Sequence, residues 1–306
     1  MLDTIKQQQL AQVIPKGMEG DEVIEAYRVR YDQQRKAIAE LNKTALTTST
    51  SNPSELTFSS EGRLGISELL PEFKFEGSWL PESHHRMIVL VEQMDFEKMR
   101  TVPSLESARE IMGTYMRLGD RLIELAQELV ESGVSVFVHH PLGDFEEYHQ
   151  ILLPPHAAQA GLGEQGRTGL FIDYELGPLV RVGGISTDLL IHAGSPVDRG
   201  VREFCKKCVY CANKCPVNAL PKMTKLESLV SDVEIEFKVN GDRCLKYFSN
   251  HYGCGMCMFH CVLAKPTNEE IRHRMSRIEH WYTTWEVPGI LDSEKKKYVE
   301  RMKSIS

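Results

Sequence analysis

The chain reads as an α+β protein in two parts, an α/β portion followed by a compact cysteine-rich domain. Two observations predict this. All eight cysteines lie between Cys205 and Cys261. Ahead of them, a strand–helix–strand alternation runs from Met87 to Val138, and a further β-rich stretch covers Leu170 to Ile191. The division into parts is expected at residues 1–80 (helical and extended), 81–200 (α/β), 201–265 (cysteine domain) and 266–306 (helical tail).

The cysteine spacing carries the first chemical reading. Cys205-Lys-Lys-Cys208-Val-Tyr-Cys211-Ala-Asn-Lys-Cys215-Pro216 is a C-x2-C-x2-C-x3-C-P run. Three cysteines two residues apart on a tight loop supply three thiolates to one face of a cubane cluster. The fourth lies too far along and serves a second cluster in two-cluster ferredoxins. Cys244, Cys254, Cys257 and Cys261 repeat the later half of that spacing, with Leu245 to Gly253 as an inserted loop and Val262 where proline would follow. The expected ligation is crossed. Cluster one takes Cys205, Cys208, Cys211 and Cys261, and cluster two takes Cys215, Cys244, Cys254 and Cys257. Zinc knuckles pair one C-x2-C with another, and disulfide scaffolds belong to short secreted chains, so both fit this pattern less well.

Ahead of the cysteines, Val23, Ala26, Tyr27, Ala37, Ile38 and Leu41 mark helix in residues 1 to about 45, and the polar stretch Thr47 to Ser54 reads as a linker. Met87-Ile-Val-Leu-Val91 is a short apolar run of the kind expected for a strand buried on both faces. Ser107-x-x-Glu110 has the form of a capping box opening a long helix to Gly133. Its stripe is Ala108, Ile111, Tyr115, Leu118, Leu122, Ala126 and Leu129. Val134 to Val138 reads as a second buried strand. After the cysteines, Thr267 to Trp285 and Ser293 to Ser306 read as helices.

Composition excludes several classes. At 306 residues, with 42% apolar and 26% charged residues, the chain can bury a real core. A net charge of −7 argues against nucleic acid as the main partner, because phosphate binding wants a basic face. No apolar run approaches the ~20 residues of a membrane span. Clustered thiolates fit a reducing compartment, so a cytoplasmic location is expected.

Three stretches in order then resemble the reductive dehalogenase family. Ala160-Gly-Leu-Gly-Glu-Gln-Gly-Arg-Thr-Gly169 is similar to that family's A-G-L-G-E-x-G-R-x-G. Leu176-Gly-Pro178-Leu-Val-Arg181 with Ser186-Thr-Asp-Leu189 resembles its G-P-x-x-R…T-D-L-P-L. Pro196-Val-Asp198-Arg-Gly200-Val-Arg-Glu203-Phe-Cys205 resembles its P-I-D-x-G-x-x-x-F-C, running into the first cysteine block. The match spans about residues 105 to 265, and the family is itself similar to the epoxyqueuosine reductases of tRNA modification.

The resemblance implies a nitroreductase-like α/β domain binding cobalamin, followed by a bacterial-ferredoxin-like domain with two [4Fe–4S] clusters. It implies an oxidoreductase that cleaves a carbon–halogen or similar bond with strongly reducing cobalt. A small molecule, an organohalide among the candidates, is then the substrate, and a ferredoxin or flavodoxin the donor. It points to Gly161, Leu162, Gly163, Glu164, Arg167, Arg181 and Thr187 for the corrinoid. It points to Tyr115 as proton donor with Arg167 as its basic partner, and to Tyr148 or Asp144 in reserve. His139, His140, His149 and His156 crowd the same segment. Three departures bear on the substrate: no twin arginine at the start, no asparagine in Pro141 to Asp144, and Leu190-Ile191 in place of Pro-Leu. Two alternatives remain at this stage, a tRNA-modifying reductase and a two-cluster electron carrier without corrinoid.

Overall fold

The computed structural model describes residues 17–44, 62–75, 77–143, 150–222 and 239–264. The linker at 47–54, the helices expected beyond 266, Asp144, Tyr148 and His149 lie outside these residues.

Alternation within Met87 to Val91 decides the layering. Strand β2 (Arg86–Gln93) turns Ile88 and Leu90 to one face and Met87, Val89 and Val91 to the other, and all five are buried. It lies second in a four-stranded sheet, order β1-β2-β6-β3, with β1 at Arg63–Glu68, β3 at Val136–His139 and β6 at Val180–Thr187. Every neighbouring pair is antiparallel. The strand–helix–strand unit therefore has its two strands separated by β6. Strand β1, with few large apolar residues, was not expected from the sequence.

One face of the sheet is covered by α1 (Glu22–Thr44) and α3 (Leu105–Glu131), which follows the short helix α2 (Phe96–Met99). Ile38, Leu41, Leu118, Leu122, Leu125 and Leu129 pack there on Ile88, Leu90, Val138 and Ile185. Each such leucine contributes roughly 1.5–3 kcal/mol by leaving water. The approach is close because β6 has Gly183 beneath it: a Cβ there would sit 2.6 Å from Leu122. The other face packs on α4 (Leu153–Gln159) and on the hairpin of β4 (Gly163–Gln165) and β5 (Phe171–Asp173).

Helix α3 starts one turn before the expected box. Ser104 is its N-cap, accepting from the backbone of Ser107, whose hydroxyl accepts in return from the N–H of Ser104. Glu110 is thereby left to accept from Asp95 N (2.9 Å) and to pair with Arg117 (2.8 Å).

Beneath the sheet edge, His84 lies buried between Ser186 and Ser135, 3.0 Å from each hydroxyl. His139 reaches the same Ser186 hydroxyl at 3.0 Å. Burial lowers the His84 pKa from 6.5 to about 4, against a smaller opposing pull from Asp188. Between those values the unfolded chain binds more protons than the folded one. Stability therefore falls as pH drops from 6.5 towards 4, at up to ~1.4 kcal/mol per pH unit. We expect urea midpoints measured at pH 7 and pH 5 to separate less in His84→Gln than in the parent. An unchanged separation would show that His84 is not the titrating group.

Candidate redox centre

Four short helices, α5 (Val201–Lys207), α6 (Tyr210–Lys214), α7 (Gly241–Phe248) and α8 (Met256–Phe259), carry Cys205, Cys211, Cys244 and Cys257, and the other four cysteines flank them. Between α7 and α8, four successive residues, Tyr252 to Gly255, take positive φ and reverse the chain. Cys205 and Cys211 are buried and Cys244 is exposed, with the other five between.

Electrostatic reach sorts the thiols into two sets. Burial pushes Cys261 far above the usual thiol range, and Cys205, Cys211 and Cys208 push it further. Burial likewise takes Cys205 and Cys208 to about 12. Cys257 rises to about 12 through burial, then through Cys254, Cys211, Cys244 and Cys215. Cys244 and Cys254 are raised by burial and by Cys215. In the packing, Cys205, Cys208 and Cys261 share one apolar cluster, and Cys215 and Cys257 lie against another that contains Cys211. Protonated thiols at neutral pH are what a metal must deprotonate on binding. Among the described residues no three His, Cys, Asp or Glu side chains close around a single ion. Thiols around a multi-iron cluster stand wider apart than that.

The glycine motif places its residues inside the protein. Gly161 adopts φ 77°, with a Cβ position 2.7 Å from Ser195 O. Leu162 is core. At Gly163 a Cβ would strike the carbonyl of Ile172 across the hairpin. Glu164 accepts from the backbone of Arg199 (2.8 Å), Val201 (3.3 Å) and Arg202 (3.1 Å), the start of α5. Tyr174 donates to the same carboxylate at 2.8 Å. Arg167, 1% exposed, donates to the far end of α5: Cys205 O (2.8 Å), Lys206 O (3.0 Å) and Cys208 O (3.1 Å), with Pro221 O at 2.7 Å. Hydrogen bonds from a charged group are each worth roughly 1.5–3 kcal/mol. Thr187 is also internal, donating to Ser135 O (2.7 Å) and accepting from Leu189 N (3.1 Å).

Tyr115 has a different basic neighbour from the one expected. The guanidinium of Arg181, not Arg167, lies over its ring, 4.7 Å from the centroid. Tyr115 continues the stripe that packs Leu118 and Leu122 on β6. At its turn the stripe joins the cluster that holds Met94, Met99, Met258 and Phe259. The Arg181 Nε is buried without a hydrogen-bond partner, and its Nη1 reaches only Val180 O and Met258 Sδ, both at 3.5 Å. The sequence favoured Arg167 as the partner of Tyr115; its donors are instead taken up by carbonyls.

Of the described histidines, His139, His140 and His156, like His84, are buried. His156 is fully buried, bridging Leu152 O (2.7 Å) and Leu70 N (3.0 Å). His140 accepts from Leu142 N (3.1 Å) and packs on Tyr31. His84, which carries a strongly shifted pKa, had no sequence signal.

A mixed α/β fold followed by a cysteine-rich segment, Cys205 to Cys261, is thus the class of protein. No protein-family model matches the chain. It is similar to the tetrachloroethene reductive dehalogenases: 30% identical over 245 residues to that of Dehalobacter restrictus. To one from Desulfitobacterium hafniense it is 29% identical over 241 residues. Each match covers 75% of this chain and 41% of the relative, so the chain spans about two fifths of the length of these relatives. The epoxyqueuosine reductase of Escherichia coli is 30% identical over 148 residues, 47% of this chain and 37% of that one. A solved catabolic reductive dehalogenase in complex with 3-bromo-4-hydroxybenzoic acid shares the fold, with a TM-score of 0.61 at 20% identity, over 88% of this chain and 40% of that chain. The resemblance to the reductive dehalogenases, and with them to the epoxyqueuosine reductases, is borne out.

Gly163→Ala should destabilise the fold by roughly 1–3 kcal/mol, read as a lower urea midpoint. An unchanged midpoint would mean that β4 and β5 can part without cost.

Proposed function

We propose that this chain is the catalytic and electron-transfer core of a reductive dehalogenase-type oxidoreductase. In this reading a nitroreductase-like α/β part is joined to a ferredoxin-like part that holds two [4Fe–4S] clusters. The observation that carries it is the Arg181 guanidinium, which lies over the Tyr115 ring and 3.5 Å from Met258 Sδ, the residue after Cys257; this supports a proton donor and a cation at the edge of the cysteine-rich segment. The crossed ligation is supported by the electrostatic grouping of Cys261 with the first three cysteines and of Cys215 with the later ones.

The donor set suits cubane clusters: two sets of thiols, partly buried and adjacent through Cys211 and Cys257. A corrinoid fits less broadly than the resemblance implies. Gly161, Leu162, Gly163, Glu164, Arg167 and Thr187 are engaged within the protein. Arg181, with a buried Nε lacking a partner, and Tyr115 are the residues that would hold it. When bound, the corrinoid supplies a strongly reducing cobalt centre.

The chain's own residues supply the rest. The Tyr115 hydroxyl delivers a proton to the carbon that loses its leaving group. The Arg181 guanidinium over the ring offsets the negative charge that the transfer leaves behind. The substrate class is a small molecule with a reducible leaving group, such as an organohalide, and electrons come from a ferredoxin or flavodoxin. The likeness to epoxyqueuosine reductases supports a second reading, in which the reduced bond is carbon–oxygen in a modified nucleoside.

The deciding experiment is anaerobic reconstitution with iron, sulfide and hydroxocobalamin, followed by desalting. About eight irons and one retained cobalt per chain support the reductase. Iron without cobalt would leave a two-cluster electron carrier. In the loaded protein, Tyr115→Phe should slow bromide release from a bromophenol probe by roughly 10²–10⁴-fold while retaining cobalt. Arg181→Met should lose both. Undiminished turnover in Tyr115→Phe would remove it as the donor.

A further inference from the structure

We propose that Arg167 and Glu164 are positioning residues for the cluster assigned to Cys205, Cys208, Cys211 and Cys261, and that their opposite charges set its reduction potential in opposite directions. The inference rests on the two-cluster reading above.

The two residues grip the ends of one helix. Glu164 accepts from three backbone N–H groups at the start of α5. Arg167 donates to three carbonyls at its end, including those of Cys205 and Cys208. Both charges complement the helix dipole, negative at the N-terminus and positive at the C-terminus. They also satisfy groups that a seven-residue helix leaves without internal partners. Only two residues separate them, Gln165 and Gly166, at the hairpin turn. Gly166 Cα faces the thiol of Cys205, which would lie 3.5 Å from a Cβ there. The E-x-G-R segment is therefore a clamp, and its span matches one short helix.

The clamp brings charge along with geometry. Arg167 is almost wholly buried, where a cation acts at low dielectric, and its field reaches Cys205, Cys208 and Cys211. The carboxylate of Glu164 reaches Cys205 with the opposite sign. A cubane takes up one electron from a reductant without making or breaking a bond, and becomes more negative by one charge. A fixed cation favours that reduced form and a fixed anion opposes it.

The test is a potentiometric titration followed by electron paramagnetic resonance on the anaerobically reconstituted full chain, with iron counted in each sample. In Arg167→Met we expect one of two midpoint potentials to fall, its reduction equilibrium shifting roughly tenfold, about 59 mV for one electron, while the other stays. Glu164→Gln should move the same midpoint upward. Arg167→Lys keeps the charge with fewer donors, and should return the potential towards the parent while losing iron faster to a chelator. A structural role alone would not produce shifts of opposite sign. Unmoved midpoints in iron-replete Arg167→Met, or a common shift of both clusters, would overturn the proposal. If Arg167→Met fails to hold iron, Glu164→Gln decides: no upward shift overturns it. A parent chain short of about eight irons would instead refute the two-cluster reading.

Discussion

The hydrogen bonds that Glu164 and Arg167 make to the two ends of α5 are the constraint on which the redox centre depends. Helix α5 is too short to stand alone: isolated helices need roughly 12–15 residues even with favourable sequences. It carries Cys205 and leads directly to Cys208, so any fraying at its end would displace the thiols that must converge. The hairpin that supplies the clamp is itself held against the sheet by Leu162 and Phe171. Order passes from the central sheet, through the hairpin, into the first cysteine loop.

The same dependence explains why the glycine-rich segment is internal. A motif rich in glycine invites the reading of a cradle for a flat ligand, because backbone without Cβ atoms can approach a surface closely. Here the surfaces approached are protein. Gly163 lets β4 lie against the carbonyl of Ile172, and Gly161 lets the chain turn beside Ser195. The close approach that glycine permits is made here to the protein's own backbone. Spacing says that a backbone comes near something; only the fold says what.

The legible parts were those governed by local rules. The eight cysteines declared themselves through covalent spacing, and the run Met87 to Val91 through a buried strand's demand for apolar residues on both faces. The stripe on α3 followed from helical period. What escaped were features set by distant residues. Strand β1 is a half-exposed edge with glycine and serine, and exists because β2 offers it a register. The capping box moved one turn because Glu110 was drawn to Asp95 and Arg117. The basic neighbour of Tyr115 is a matter of register. Gly183 seats Leu118 and Leu122 on β6, and one turn back along α3 and two residues back along β6 bring Tyr115 to Arg181.

Two arginines from similar motifs thus divide the work by their surroundings. Arg167 is enclosed by carbonyls that use its donors, so its charge is fixed in place and acts on the thiols beside it. Arg181 has an aromatic face, a thioether and a buried Nε with no acceptor. A buried donor without a partner costs on the order of 1–3 kcal/mol, and the fold retains it beside Tyr115. Such a cost is sensible where a ligand or a developing phenolate will later take up the charge. The first arginine fixes the shape of the first cysteine loop, and the second keeps a buried Nε without an acceptor beside Tyr115.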